Sequence, residues 1–198
     1  MKKFIVVGGV NGSGKTSFFG AISKLEGIEE YIDLDKYMLE NSATYYKAAR
    51  VLLSKTEKLI KEGKSFSQES TLSGYQIFNT IEKAKENGYY VHLYYIGLDS
   101  PEEAINRVAN RVLLGGHNIP AEDIRRRFSL QKERLYKALE MVDEADFFDN
   151  VRGFTPFATY KNKKWLLNDG IPQWFLDLEL KKFPYHKKTP NIPKEMIK

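Results

Sequence analysis

Gly9-Val10-Asn11-Gly12-Ser13-Gly14-Lys15-Thr16 decides how the rest of this chain is read. It fits the phosphate-binding loop pattern of a glycine, four residues and then Gly-Lys-Thr. Phe4-Ile5-Val6-Val7 before it is an apolar run of buried-strand type, and Phe18, Phe19, Ile22 and Leu25 after it recur at helical spacing. A strand, a glycine-rich turn and a helix start bring successive backbone N–H groups and the helix dipole onto one point, which makes an anion site. The motif predicts a nucleoside triphosphate site formed by Gly9, Asn11, Gly12, Ser13, Gly14, Lys15, Thr16 and Ser17. Lys15 is expected at the β- and γ-phosphates, and the Thr16 hydroxyl on Mg²⁺.

Composition bounds the remaining possibilities. At 198 residues the chain has room for one domain with a proper core. The expectation is a single domain over 1–198, with a core over about 3–150 and a C-terminal hairpin and helix in 151–198. There is no cysteine, which excludes disulfides, thiolate zinc sites and cysteine nucleophiles. Met1 to Val7 mimics the start of a signal peptide, but the apolar run ends in the glycine loop. No apolar stretch reaches membrane-spanning length, so a cytoplasmic protein without membrane contact is expected. The net charge of +5 gathers toward the tail, at Lys181-Lys182, Lys187-Lys188, Lys194 and Lys198. That balance suits an anionic nucleotide, and no nucleic-acid motif accompanies it.

Along the chain, Tyr31-Ile32-Asp33-Leu34-Asp35 reads as a short strand with Asp33 and Asp35 on one side. Thr44 to Glu62 reads as a helix with Ala48, Val51, Leu52, Leu59 and Ile60 apolar and Gly63 as its stop. Ser65–Glu69 is a third strand, and Ser73 is a candidate cap for a helix carrying Ile77, Ile81 and Ala84. Tyr89 to Leu98 is dense in aromatic and β-branched residues, as strands are. Ser100-Pro101-Glu102-Glu103 opens the next helix with a capping box and proline at its first position. That helix is expected to end at Gly115-Gly116, with another from Ala121 to Val142 and a fifth strand at Ala145–Phe148. In the tail, Phe157–Tyr160 and Lys164–Leu167 read as a hairpin, and Pro172 to Lys182 as a helix burying Trp174, Phe175 and Leu178. Strands alternating with helices predict an α/β fold with a mostly parallel five-stranded sheet. Ligands gather beyond the carboxyl ends of such strands, where Asp35, Glu69, Asp99 and Asp149 fall beside the loop.

Phosphoryl transfer needs a cradle, a metal, a carboxylate at the acceptor hydroxyl, and cations against the transferring charge. Asp35 and Glu69 are the leading carboxylates. Asp33 is either a further metal-site acid behind the direct ligands or a structural partner, and the short Asp33-Leu34-Asp35 could simply cap the helix that follows. Arg107 and Arg111 lie four apart on one helix face and lead into Gly115-Gly116-His117-Asn118, with Arg125-Arg126-Arg127 opening the next helix. Helix, loop and helix with inward arginines form a lid that closes over phosphates. His117 has no second histidine at metal-ligand spacing, which argues against zinc. Thr71-Leu72-Ser73-Gly74-Tyr75-Gln76 is similar to the signature of ABC transporter ATPases. Against that reading, Asp99 is followed by Ser100 where those enzymes need a glutamate to activate water.

Taken together, the glycine loop, Ile32-Asp33-Leu34-Asp35, Glu69-Ser70-Thr71-Leu72-Ser73-Gly74, and Arg107-x-x-x-Arg111 with Gly115-Gly116-His117 resemble the zeta-toxin-like P-loop kinases over residues 3–150. The nearest branch is the one labelled predicted ABC-type ATPase. The resemblance implies a P-loop NTPase three-layer sandwich with a helical lid, using ATP and Mg²⁺. Zeta toxins phosphorylate UDP-N-acetylglucosamine on a sugar hydroxyl. The resemblance thus implies Asp35 as catalytic base, Glu69 and Thr71 at the acceptor, and Lys15 with Arg107 on the transferring phosphoryl group. Asp33, His117 and Arg127 are further acceptor-side candidates, and Arg111 a further catalytic one. His117 stands where zeta toxins carry a second lid arginine. The expected activity is an ATP-dependent small-molecule kinase acting on a hydroxyl, with an antitoxin as a possible partner. The alternatives are a kinase of another metabolite, or a nucleotide switch that makes no phosphorylated product.

Overall fold

The computed structural model describes residues 1–28, 30–180 and 185–187. Its centre is a parallel sheet in the order β2-β3-β1-β4-β5, formed by β1 (Lys3–Gly9), β2 (Glu30–Ile32), β3 (Phe66–Ser70), β4 (Tyr90–Gly97) and β5 (Glu144–Asp149). Those are the five parallel strands expected, yet the sheet does not stop there. The hairpin of β6 (Thr155–Lys161) and β7 (Lys164–Leu167) adds antiparallel to β5, making seven strands, and a short β8 (Tyr185–Lys187) lies parallel to β7. The hairpin turn is tight because Asn162 and Lys163 both take positive φ, as a two-residue primed turn requires.

Alternation along β1 explains the layers. Phe4 and Val6 face one side with α3 (Tyr45–Glu62), α4 (Gln76–Glu86) and α7 (Gln131–Met141), through Leu59, Ile81 and Leu135 among others. Ile5 and Val7 face the other side with Phe18 and Ile22 of α1 (Lys15–Glu26). A strand buried on both faces reads as a continuous apolar run, which is why Phe4–Val7 is legible as one. A third cluster joins Val10 of the glycine loop to Ala104 and Val108 of α5 (Pro101–Leu113) and Ile124 of α6 (Ala121–Ser129).

Several expectations need correction. Tyr31–Asp35 is not one strand: β2 ends at Ile32, and Asp33 caps a helix, α2 (Leu34–Asn41), by accepting from the Lys36 N–H at 3.0 Å. An aspartate at a helix start satisfies an otherwise orphaned N–H, and here that outweighs the apparent alternation. Ser73 does not cap α4; Tyr75 occupies the cap position, and the Ser73 hydroxyl pairs with that of Thr71 at 2.8 Å. Val51 is exposed, and Thr56 fills the inner stripe of α3 with its hydroxyl turned back to the Leu52 carbonyl. The helix read over Ala121–Val142 breaks into α6 and α7 at Leu130. Beside the break, the Ser129 hydroxyl donates to the Arg126 carbonyl at 2.8 Å, a back-bond that competes with the helix ladder. The last helix, α8 (Gln173–Asp177), is shorter than expected, although Trp174, Phe175 and Leu178 are buried as read. Lys181, Lys182, Lys188, Lys194 and Lys198 lie outside the described residues, as does the side chain of Leu25.

Ser100 caps α5 as anticipated, accepting from the Glu103 N–H at 3.2 Å. Trp174 of α8 lies flat against Gly97, where an added Cβ would sit 2.1 Å from the indole, and donates to Asp149 at 2.9 Å. The tail is thereby fixed to the carboxyl ends of β4 and β5. Among the described residues, no helix is long and apolar enough to cross a membrane.

Candidate functional site

The register of the sheet builds the site. Val7 pairs with Glu69 of β3 and Gly9 with Ile96 of β4, so the chain leaves β1 at the rim where both neighbours also end. Gly9 comes too close to the Ile96 carbonyl for any side chain, since a Cβ would lie 2.3 Å from that oxygen. Gly14 starts α1 in the left-handed region at φ 91°, a conformation that glycine adopts without penalty. Between them Ser13 N–H closes the loop onto the Val10 carbonyl at 3.3 Å, and the Asn150 side chain donates to the Ser13 carbonyl at 2.8 Å. This is a loop fixed mainly through its backbone.

Lys15, only 5% exposed, donates to the Val10 carbonyl at 2.9 Å and lies 3.6 Å from Glu69. The Thr16 hydroxyl donates to Glu69 Oε2 at 2.8 Å, and the Tyr31 hydroxyl donates to the same oxygen at 2.7 Å. Tyr31 is itself held by stacking on Phe19, with ring centroids 3.9 Å apart. Burial and the neighbouring Glu69 charge push the Tyr31 hydroxyl above its usual range, so it stays a donor. Ser17 is exposed beside Thr16.

A cavity of about 340 Å³ opens next to this cluster. Asn11, Lys15, Asp33, Asp35, Glu69, Thr71, His117 and Arg127 all line it, so one space gathers residues from both ends of the core. Arg127 Nη1 donates to the Asn11 side chain at 3.0 Å, which joins α6 to the glycine loop. Asp35 sits in the first turn of α2, half-buried, next to the cap residue Asp33. Burial, reinforced by the Glu69 and Asp35 charges, pushes the Asp33 carboxyl up to about 6, against the opposing Lys36 N–H and Lys15. Leu72, between Thr71 and Ser73, is 1% exposed yet has φ 58°. Such a left-handed side-chain residue costs about 1–2 kcal/mol. The strain sits in the turn that carries two cavity-lining hydroxyls.

Arg107 and Arg111 do not line this cavity. Arg107 packs over Gly12, its Cβ 3.3 Å from where a Gly12 Cβ would lie, and binds Glu103 at 2.6 Å and the Asn150 carbonyl at 2.7 Å. It therefore stands on the far side of the glycine loop. Arg111 is exposed and donates to the His117 carbonyl at 2.9 Å, tying the end of α5 to the loop before α6. Of the rim acids, Asp149 is taken up by Trp174, and Asp99 faces a separate cleft with Asp149 and Arg152.

Sequence reasoning missed Tyr31 and Asn150. Asn150 directly follows Asp149 at a predicted strand end, where carboxylates alone give a sequence signal for chemistry. Tyr31 reaches Glu69 across 38 residues, and no local pattern announces that contact.

With this geometry in hand, comparison with known proteins places the chain. The family described as Zeta toxin matches residues 1–156. An uncharacterized protein of Haemophilus influenzae is 37% identical over 127 residues, covering 62% of this chain and 89% of its own length. The solved PezAT chromosomal toxin-antitoxin system of Streptococcus pneumoniae is similar in fold, with TM-score 0.65 at 20% identity, covering 100% of this chain and 83% of that one. A chain of the AvrRxo1-ORF1:AvrRxo1-ORF2 crystal structure with sulphate ions superposes with TM-score 0.67 at 15% identity, over 90% of this chain. This chain spans only 63% of that one's length. At such identities the structures speak for the α/β P-loop kinase fold, and the family match speaks for ancestry. The chain belongs to the Zeta toxin family.

Proposed function

We propose that this protein is an ATP-dependent kinase that transfers the γ-phosphoryl group to a hydroxyl of a small molecule. The observation that carries the reading is the shared cavity. Lys15 and Thr16 of the phosphate loop meet Glu69, and Asp35 lies on the wall of the same space. A related fold has been crystallised as AvrRxo1-ORF1:-ORF2 with ATP, which supports ATP as the donor here. In the proposed step the acceptor oxygen bonds to the γ-phosphorus while the bond from that phosphorus to the β–γ bridging oxygen breaks. ADP leaves, and the hydroxyl proton passes to Asp35. Lys15 offsets charge on the transferring group, and Arg107 does so from the other side of the loop.

The Thr16 hydroxyl and the Glu69 carboxylate are adjacent hard oxygen donors, a set that suits Mg²⁺. When bound, Mg²⁺ would neutralise phosphate charge. Thr71 and Asp33 are assigned to orienting the acceptor, and Arg127 with His117 to closing the site from α6 and its preceding loop. The family resemblance raises UDP-N-acetylglucosamine as the first acceptor to test. The PezAT structure is described as a toxin-antitoxin system, which makes a protein antitoxin the partner to look for.

Asp35→Asn tests the reading against a nucleotide switch. A kinase keeps its ATP affinity and loses turnover by about 10²-fold or more, the usual contribution of a positioned base. Unchanged turnover in this variant would contradict the proposal.

A further inference from the structure

The turn that carries Thr71 and Ser73 into the cavity is tied to its neighbours on two sides. Toward β1, the left-handed Leu72 lays its side chain over the sheet, with Cδ1 3.5 Å from where a Gly8 Cβ would lie. The Ser70 hydroxyl accepts from the Leu72 N–H at 3.0 Å, and the Thr71 and Ser73 hydroxyls pair at 2.8 Å. Toward α7, the tie is Tyr75, at the cap position of α4. Tyr75 does not line the cavity, although Ser73, Gly74 and Gln76 on either side of it do. Its ring lies instead under two cations of α7. The Arg134 guanidinium is 4.5 Å from the ring centroid and the Lys137 ammonium 5.2 Å, and Arg134 Nη2 donates to the Tyr75 hydroxyl at 3.4 Å.

Arg134 is out of keeping with its surroundings. It is only 8% exposed, and its Nε is buried without a hydrogen-bond partner. Its one ion pair among the described residues is a 3.8 Å contact with Glu133, which stands out in solvent. A buried guanidinium with so little compensation destabilises the fold, and an apolar side chain of similar length would pack there at no such cost. The aromatic face of Tyr75 offsets part of that cost, and does so only while the ring stays in place. A left-handed leucine likewise persists only where its surroundings over-determine it. Departures of this kind mark functional positions, and here two of them, Leu72 and Arg134, converge on one turn. That turn bears the hydroxyls of the acceptor wall.

We propose, resting on the kinase reading above, that Arg134 is a positioning residue of the acceptor site: it clamps Tyr75 and so holds the 71–75 turn in the form that presents Thr71 and Ser73 to the acceptor. The test compares the full-length parent with Arg134→Met, which keeps the length of the side chain and removes its charge. Tyr75→Ala is a second variant, safe for the core because Tyr75 is largely exposed. In both variants amide hydrogen exchange at residues 71–75 should quicken about tenfold, with β1 and β4 unchanged. The urea midpoint of Arg134→Met should stay level or rise. An arginine with a merely structural role gives the opposite result, a lower midpoint and faster exchange through the core. Unchanged exchange at 71–75 would overturn the clamp. Activity is read with γ-labelled ATP, Mg²⁺ and a small-molecule cell extract at graded dilution. The extract concentration giving half-maximal label should rise about tenfold in Arg134→Met, with the maximal rate and the KM for ATP within about twofold of the parent. Arg134→Lys, which keeps a cation over the ring, should recover part of that loss. An unchanged half-maximal concentration in Arg134→Met would overturn the acceptor role and leave the kinase reading standing. Label confined to free phosphate with the parent would overturn the kinase reading and the acceptor role with it, and the exchange result would still decide the clamp.

Discussion

The two halves of the cleft are built in opposite ways. On the proposed donor side, Gly9, Gly12 and Gly14 let β4, α5 and Asn150 press directly against the loop, which is fixed mainly through its backbone. On the proposed acceptor side, Asp33, Asp35, Thr71 and Ser73 come from a helix start and a strained turn, and the groups that line the cavity are side chains. A backbone cradle leaves little freedom in what it binds, because any side chain would fill it. A side-chain wall can be rewritten one residue at a time without disturbing the sheet. On the function proposed above, the acceptor wall is the part free to change while the donor loop stays fixed.

Lys15→Ala strikes where the halves meet and should have the largest effect. Loss of a cation aimed at the transferring group is worth about 10³-fold in turnover, read by steady-state kinetics, with chain fold checked by circular dichroism. A variant that keeps near-normal turnover would detach the donor loop from the chemistry.

Asp33→Asn isolates the acceptor wall. Asparagine caps a helix about as well as aspartate, so α2 should persist. In the folded protein the Asp33 carboxyl is raised to about 6 from 3.8. The native state thus favours the protonated form, and its stabilising contribution is complete below pH 3.8 and lost as pH rises through 6. Relative to the asparagine variant, the parent should lose up to about 3 kcal/mol between pH 4 and pH 7, measured by urea unfolding at each pH. Parallel stability curves for the two proteins would show that Asp33 is not buried against Glu69 as described.

Ser100→Ala is the smallest perturbation and a control on the donor side. Removing this cap should cost about 1 kcal/mol of stability while ATP affinity, measured by calorimetry, stays within twofold. A large drop in affinity would mean that the start of α5, through Ala104 against Gly12, sets the loop geometry more tightly than its packing suggests.

The same contrast governs what could be read from the sequence. The donor half and the parallel core were legible because their signals are local: an apolar run for β1, fixed glycine spacing, and Ser100-Pro101 at a helix start. The acceptor half was legible only as a list of residues. Asp35 was read at the rim, but the alternation of Ile32-Asp33-Leu34-Asp35 carried the expected strand past Ile32, where β2 in fact stops and Asp33 caps α2. Tyr31 and Asn150 escaped notice because their importance lies in partners supplied by distant segments. Arg107 and Arg127 were read on consecutive helices by spacing, and spacing alone could not reveal that Arg107 reaches the Asn150 carbonyl while Arg127 reaches the Asn11 side chain. The hairpin was expected as an appendage, yet its pairing with β5 makes it part of the sheet.

The most direct test of the central claim follows the γ-phosphoryl group itself. The protein and its Asp35→Asn variant are incubated with γ-labelled ATP, Mg²⁺ and an unfractionated small-molecule extract, and the label is traced by chromatography. The account predicts a labelled organic phosphate ester made by the parent and lost, by about 10²-fold or more, in the variant. Label recovered only as inorganic phosphate, equally with both proteins, would contradict it.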